Sequence, residues 1–205
     1  MNNLQNKEKF NDFGNGEGGI DKIVKPDSEW GLRLLSPADA TQLRALRHRA
    51  IGECAWNFGT PPGIEHARGI GYYRRQLIHT RFQSTTRYLG LWDHPTLIGM
   101  AGLRLRRTRG EPFGLIFSMY VLPEYRQLKL GRALLRAAQD HIRREWDVPR
   151  LRMQVEVHNQ PALKLYQSEG FQILKTETDA FRIGTTDYDV HLLEKSLHTR
   201  ENQTG

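Results

Sequence analysis

From Trp30 to Leu35 apolar and polar positions alternate with the two-residue period of a strand. Ser36-Pro37 then offers a helix start, followed by Leu43, Leu46 and Ala50 on one helical face. From Cys54 to Gly71 the pattern dissolves into glycine, proline and aromatic residues, a loop-rich stretch, before a second helix predicted over Tyr72 to Thr80. Arg87 to Trp92 and Leu97 to Arg106, joined by Asp93-His94-Pro95, predict an antiparallel hairpin, and Gly114 to Val121 a third strand. The clearest signal follows: from Leu130, the residues Leu134, Ala138, Ile142 and Trp146 recur every fourth position, which is one stripe of an amphipathic helix. A strand over Leu151 to Val157 and a short helix through Leu163 and Tyr166 come next, with Gly170 as its C-cap. Strands at Phe171 to Lys175 and Asp187 to Leu193 end the series. Strands before and after a long helix predict a mixed α/β sheet with one parallel crossover. The N-terminus of a crossover helix carries unpaired N–H groups and the positive end of the helix dipole, a natural seat for an anion.

Residues 1–29 and 198–205 lie outside this pattern. Gly14, Gly16, Gly18 and Gly19 crowd the first stretch, and neither end has enough apolar material to offset the entropy of ordering, so both read as flexible tails around one domain at 30–197. With 38% hydrophobic residues the chain of 205 can still build one core. No apolar run approaches the ~20 residues that cross a bilayer, and the start MNNLQNKEKF has no apolar signal core, so the chain reads as cytoplasmic, with no membrane partner. Cys54 has no partner for an internal disulfide, in keeping with a reducing compartment, and reads as a buried bystander. The formal charge of +7 suits an anionic partner without naming one. Eight histidines lie scattered without metal-ligand spacing, so no metal is expected, and His94 and His158 read as surface residues.

Two segments carry chemistry: MYVLPEYRQLKLGRALL at 119–135 and NQPALKLYQSEGF at 159–171. Together with the strand order they resemble the GNAT superfamily of N-acetyltransferases. That resemblance implies a mixed, mostly antiparallel central sheet, flanked by helices, with a parallel pair splayed where acetyl-CoA, a co-substrate, lies. It implies that Met119, Tyr120 and Val121 offer backbone groups to the pantetheine arm as an added strand would. It further implies that Arg126, Gln127, Leu128, Lys129, Leu130, Gly131 and Arg132 wrap the pyrophosphate with their backbone N–H groups. The family prefers glycine where Lys129 stands; here an ammonium beside the pyrophosphate and an ordinary solvent-exposed lysine are both open readings.

By the same resemblance Asn159 lies near the cofactor arm, and Tyr166 matches the tyrosine that protonates the departing thiolate. A phenol with a pKa near 10 suits that task, because it holds its proton at neutral pH. Some members carry a glutamate base where this chain has Gln154, which cannot take a proton. Glu156, two residues along the same strand face, is the candidate base, with an unremarkable exposed glutamate as the alternative. No GxSxG elbow or Walker loop occurs, so a direct transfer without an acyl-enzyme is expected. Residues 37–81 hold seven arginines against Asp39, Glu53 and Glu65, with Trp56, Phe58, Tyr72 and Tyr73 among them. That mixture suggests a small amine acceptor with an anionic or aromatic part. The alternatives are a non-catalytic CoA-binding module and a protein- or tRNA-directed enzyme. Nucleic acid is the disfavoured partner, and a homodimer is left open.

Overall fold

The computed structural model describes residues 30–81, 85–108 and 110–197; both predicted tails lie outside the described residues. Seven strands form one sheet: β1 (Trp30–Leu34), β2 (Thr86–Asp93), β3 (Thr96–Arg106), β4 (Phe113–Val121), β5 (Arg150–Glu156), β6 (Gln172–Ile183) and β7 (Thr186–Ser196). Their order across the sheet is β1-β2-β3-β4-β5-β7-β6. Every neighbouring pair is antiparallel except β4 with β5, which is the parallel pair expected from the crossover. Among the described residues five α-helices flank the sheet: α1 (Ala40–Cys54), α2 (Pro62–His66), α3 (Ile70–Arg81), α4 (Leu130–Trp146) and α5 (Gln160–Ser168). No helix among the described residues is long and apolar enough to cross a membrane.

The stripe read from the sequence is the buried face of α4, where Leu130, Leu134, Ala138 and Ile142 are buried against the sheet. Close packing decides the composition beneath it. At Gly114 of β4 an added Cβ would come within 2.5 Å of Ile142 and 2.9 Å of Leu151, so the helix can sit this near only over a bare backbone.

Two expectations change. The stretch 54–71 is more ordered than its composition suggests: a 3-10 turn covers Ala55–Asn57, and α2 follows Pro61 with Pro62 in its first turn and Glu65 supplying the acidic residue there. A five-residue helix is too short for an apolar period, so only its proline start was there to find. The last two strands are also longer than predicted. Residues 176–183 are mostly polar and largely exposed, and the left-handed Asp179 with its register shift breaks what alternation there is; pairing with β7 and the stacked rings of Phe181 and Tyr188, 5.2 Å apart, hold the strand extended.

His141 is a polar exception in the core. It is buried in α4, and neither ring nitrogen has a partner among the described residues. Burial holds its pKa below the ordinary value, against a smaller upward pull from Glu145. The unfolded chain therefore takes up a proton below about pH 6.5 that the folded chain refuses, and stability falls as pH drops through that value. His141→Leu is expected to raise the melting temperature, by a margin that widens between pH 7.5 and pH 5.5; a margin independent of pH would contradict this account.

Candidate active site

The parallel pairing of β4 and β5 consists of two residue pairs only, Gly114 with Leu151 and Leu115 with Arg152. Beyond Leu115 the strands part. β4 stays paired to β3 on its far side, and β5 stays paired to β7, so the facing inner edges of 116–121 and 153–156 are left to each other without a ladder between them. A bulge accompanies the parting: the register passes from Gly102 opposite Phe117 to Met100 opposite Tyr120, so that Ala101 faces both Ser118 and Met119. Of the three residues expected to meet the cofactor arm, Met119 is the second residue of this bulge and Tyr120 and Val121 follow it. Two parted strands with free inner edges can accept one extended chain between them.

The opening runs toward the loop that starts α4. Leu122 donates its N–H to the Ile98 carbonyl, a 3-10 turn spans Pro123–Tyr125, and the Tyr125 hydroxyl donates to Asp93 at 2.6 Å. Gln127 and Lys129 then both adopt left-handed backbone conformations, with φ of +64° and +60°. Glycine adopts this conformation without a steric penalty. Lys129 adopts it nonetheless, at a steric cost of roughly 1–2 kcal/mol. The first α4 bond runs from Ala133 N–H to the Lys129 carbonyl, so the N–H groups of Leu130, Gly131 and Arg132 precede the helical ladder, as an anion cradle requires.

Two of the side chains expected here are engaged elsewhere. Arg126 places its guanidinium on Glu53 of α1 at 2.7 Å and on the Val121 carbonyl at 3.0 Å. Arg132 bonds Glu169 and the Ser168 hydroxyl, each at 3.0 Å, and with Arg136 ties α4 to the end of α5. Their backbones remain part of the loop, whereas their side chains position it. Leu128 is partly exposed and Leu130 is core.

Asn159 caps α5, its side-chain oxygen accepting from Ala162 N–H at 3.3 Å while its amide donates to Asn57 at 2.7 Å. One residue thus links β5, α5 and the 55–57 turn. Tyr166, two turns along α5, is 7% exposed and packs edge-on against Phe171. Burial pushes its phenol above the ordinary value, so it keeps its proton throughout the physiological range.

Glu156 is not an exposed glutamate. It is 5% exposed, one oxygen accepts from the His158 backbone N–H at 3.0 Å, and the other meets His158 Nδ1 at 2.7 Å. His158 is itself largely exposed, so its imidazole is oriented by a buried carboxylate. Gln154, on the same strand, is exposed. Cys54 is buried, its Sγ donates to the Ala50 carbonyl at 3.2 Å, and burial pushes the thiol up. Among the described residues no group of His, Cys, Asp or Glu could hold a metal.

Sequence reasoning missed the residues that join the helical side to the opening. Tyr120 donates its hydroxyl to Glu53 at 2.7 Å, which also binds Arg126. Arg47 of α1 bonds the wholly buried Glu65 and reaches Ser118 at the bulge. Phe58 packs on Tyr120 with ring centres 6.2 Å apart, and Gly59 faces Phe181 of the β6–β7 hairpin. These pairs span 60 or more positions of sequence in most cases, and no local pattern announces them.

The model of the Acetyltransferase (GNAT) family matches residues 54–171, more than half of the chain and the whole of the opening, loop and α5 described above. The chain belongs to this family. Among curated relatives, an N-alpha-acetyltransferase of Sulfurisphaera tokodaii is 32% identical over 75 residues, which is 37% of this chain and 45% of that protein, so the match spans less than half the relative's length. Among solved structures, a GNAT-family acetyltransferase from Streptococcus pneumoniae superposes with a TM-score of 0.71 at 22% identity, covering 82% of this chain and 99% of that one. The spermidine N-acetyltransferase of Vibrio cholerae, solved with CoA and spermine, gives 0.67 at 18% identity, covering 83% and 96%. At these identities the structures establish the shared GNAT fold.

Proposed function

We propose that this GNAT chain transfers the acetyl group of acetyl-CoA directly to a primary amine. The observation that carries the reading is the parted β4–β5 edge running into a left-handed loop at the α4 N-terminus, with the buried phenol of Tyr166 on the neighbouring helix α5. The pantetheine arm occupies the opening between strands, and the pyrophosphate meets the N–H groups of the loop and of the first turn of α4. A backbone N–H beyond the β4 bulge holds the thioester oxygen as negative charge develops on it. The amine nitrogen bonds to the carbonyl carbon, the C–S bond breaks, and the thiolate takes the Tyr166 proton. The acceptor's surplus proton leaves through water, with Glu156 and its partner His158 as the candidate base, and solvent returns a proton to the Tyr166 phenolate.

The acceptor is best read as an amine with an apolar or aromatic part, supported by the Phe58–Tyr120 contact and by Phe181 and Tyr188 beside the 55–61 segment. The arginine-rich segment supports an anionic acceptor less than its composition suggested, because Arg47 and Arg68 pair with Glu65 and Arg49 pairs with Glu124.

The test is incubation of the purified protein with acetyl-CoA and pooled primary amines, with mass spectrometry to detect the gain of one acetyl group. CoA alone is also expected to stabilise the fold by ~2.7 kcal/mol at a hundredfold excess over its dissociation constant. A melting temperature unmoved by millimolar CoA would sink the cofactor reading. Binding without acetylation of any amine would favour the CoA-binding module instead.

A further inference from the structure

The bulge that directs the backbone of Met119–Val121 is made by a residue ill suited to it. Ser118 has φ of +51°, in the left-handed region, at the first of two positions opposing Ala101. Glycine is the usual residue for a bulge of this backbone form, and another L-residue costs roughly 1–2 kcal/mol there. Something outside the strand must therefore hold Ser118, or its peptide would relax and turn the next N–H away from the opening.

One side chain does so. Arg47 Nη1 donates to the Ser118 hydroxyl at 2.9 Å across 71 positions of sequence. Arg47 is in turn immobilised, with Nε on Glu65 at 3.0 Å, Nη2 on Glu65 at 3.3 Å, and its guanidinium over the Phe58 ring at 4.8 Å. Glu65, wholly buried, also accepts from Arg68 and from the Tyr73 hydroxyl, both at 2.6 Å. Residues of α2, α3 and the 55–61 segment thus fix one guanidinium of α1, which grasps the Ser118 hydroxyl at the point where the strands part. A surface arginine would not have this effect; a planar fork with two donors already fixed on Glu65 and its face on Phe58 can deliver one more contact with little further loss of freedom.

We propose that Arg47 is a positioning residue: through Ser118 it holds the β4 bulge in the one conformation that aims a backbone N–H at the thioester oxygen, coupling the helices of the acceptor side to the polarising group. This rests on the acetyl-CoA reading above. The hydroxyl of Ser118 touches no reacting atom; its task is to be grasped.

The experiment compares Ser118→Ala with Ser118→Gly, using [1-13C]acetyl-CoA as the probe. The alanine keeps the unfavourable backbone position and loses the tether, whereas glycine adopts a left-handed conformation unaided. In the wild type the bound carbonyl resonance is expected to move downfield of free acetyl-CoA. In Ser118→Ala that displacement should largely vanish and kcat for the best amine from the pool should fall about tenfold, with KM for acetyl-CoA within about threefold. Ser118→Gly should recover both the displacement and most of the turnover. Arg47→Met is expected to behave as the alanine variant does; should it fail to fold, because it strands Glu65, the two Ser118 variants decide the matter alone. A Ser118→Ala protein with the wild-type carbonyl shift and turnover overturns the proposal. So does a glycine variant as impaired as the alanine one, since the hydroxyl itself would then be the active group. A wild type that binds no acetyl-CoA removes the cofactor reading and this proposal together, a result distinct from either.

Discussion

Tyr166→Phe is expected to lower kcat by ~10²-fold or more while leaving CoA affinity nearly intact, the scale of a positioned general acid. The phenol is 7% exposed and lies on α5 between the Asn159 cap and Phe171, which it meets edge-on. Phenylalanine keeps the ring, so the packing against Phe171 and the volume of the site are retained. What is lost is a proton that burial holds on the oxygen at any pH at which the protein works. A packing role for Tyr166 predicts the reverse, a changed melting temperature with turnover preserved. Thiol-release kinetics and thermal unfolding on one sample separate the two, and full turnover by the phenylalanine variant would move the acid's task to water near Asn159.

The contrast between Tyr166 and Glu156 marks what sequence alone can supply. Tyr166 sits in a run, NQPALKLYQSEGF, whose cap, stripe and terminal glycine are all local, and the structure has Asn159 capping α5 and Gly170 at φ of +88° just after it. The long helix and the single parallel crossover were legible for the same reason, since a four-residue stripe between two strands allows few other folds. The sequence leaves Glu156 open between a base and an exposed glutamate, because period-two reasoning gives a side chain's face and not what covers that face; its two contacts with His158, two residues on, lie in a turn that no period describes. The signature run likewise told where the loop lies. It could not tell that the Arg126 guanidinium would turn back to Glu53, because that pairing depends on α1 packing beside the strand, 73 positions earlier in the chain. The mixture of arginines and acids at 37–81 shows the same limit: counted along the chain it is a run of positive charge, whereas in space the buried Glu65 pairs with both Arg47 and Arg68.

That double pairing makes Glu65 the position where a single change should cost most. Glu65→Gln is expected to destabilise the fold by about 3 kcal/mol or more, the scale for removing one partner of a buried ion pair, which for a chain of this size lowers the melting temperature by roughly 6–12 °C. The loss exceeds that of an ordinary salt bridge because Arg47 keeps only 11% of its side chain exposed and cannot regain water when its partner goes. A control on the surface sharpens the point: Glu124, paired with Arg49 where both side chains are about half exposed, should cost less than ~1 kcal/mol when changed to glutamine. The pH dependence follows from the direction of the Glu65 shift. Burial pushes its carboxyl up, but the hydrogen bonds of Arg47 and Tyr73 and the charges of Arg47 and Arg68 together outweigh burial, and the net position is below the ordinary value. A carboxyl whose folded pKa lies under its unfolded one, near ~4.3, contributes stability that is present above that value and fades as pH falls through the folded pKa. The gap between wild type and Glu65→Gln should therefore be full at pH 7 and shrink in strong acid, as the wild-type carboxyl takes up its proton and comes to resemble the amide. Denaturant unfolding of both proteins at pH 7 and at the lowest pH where the wild type still folds measures this directly. A gap that stayed constant between the two conditions would mean that packing, and not the charge held by Arg47 and Arg68, is what Glu65 contributes.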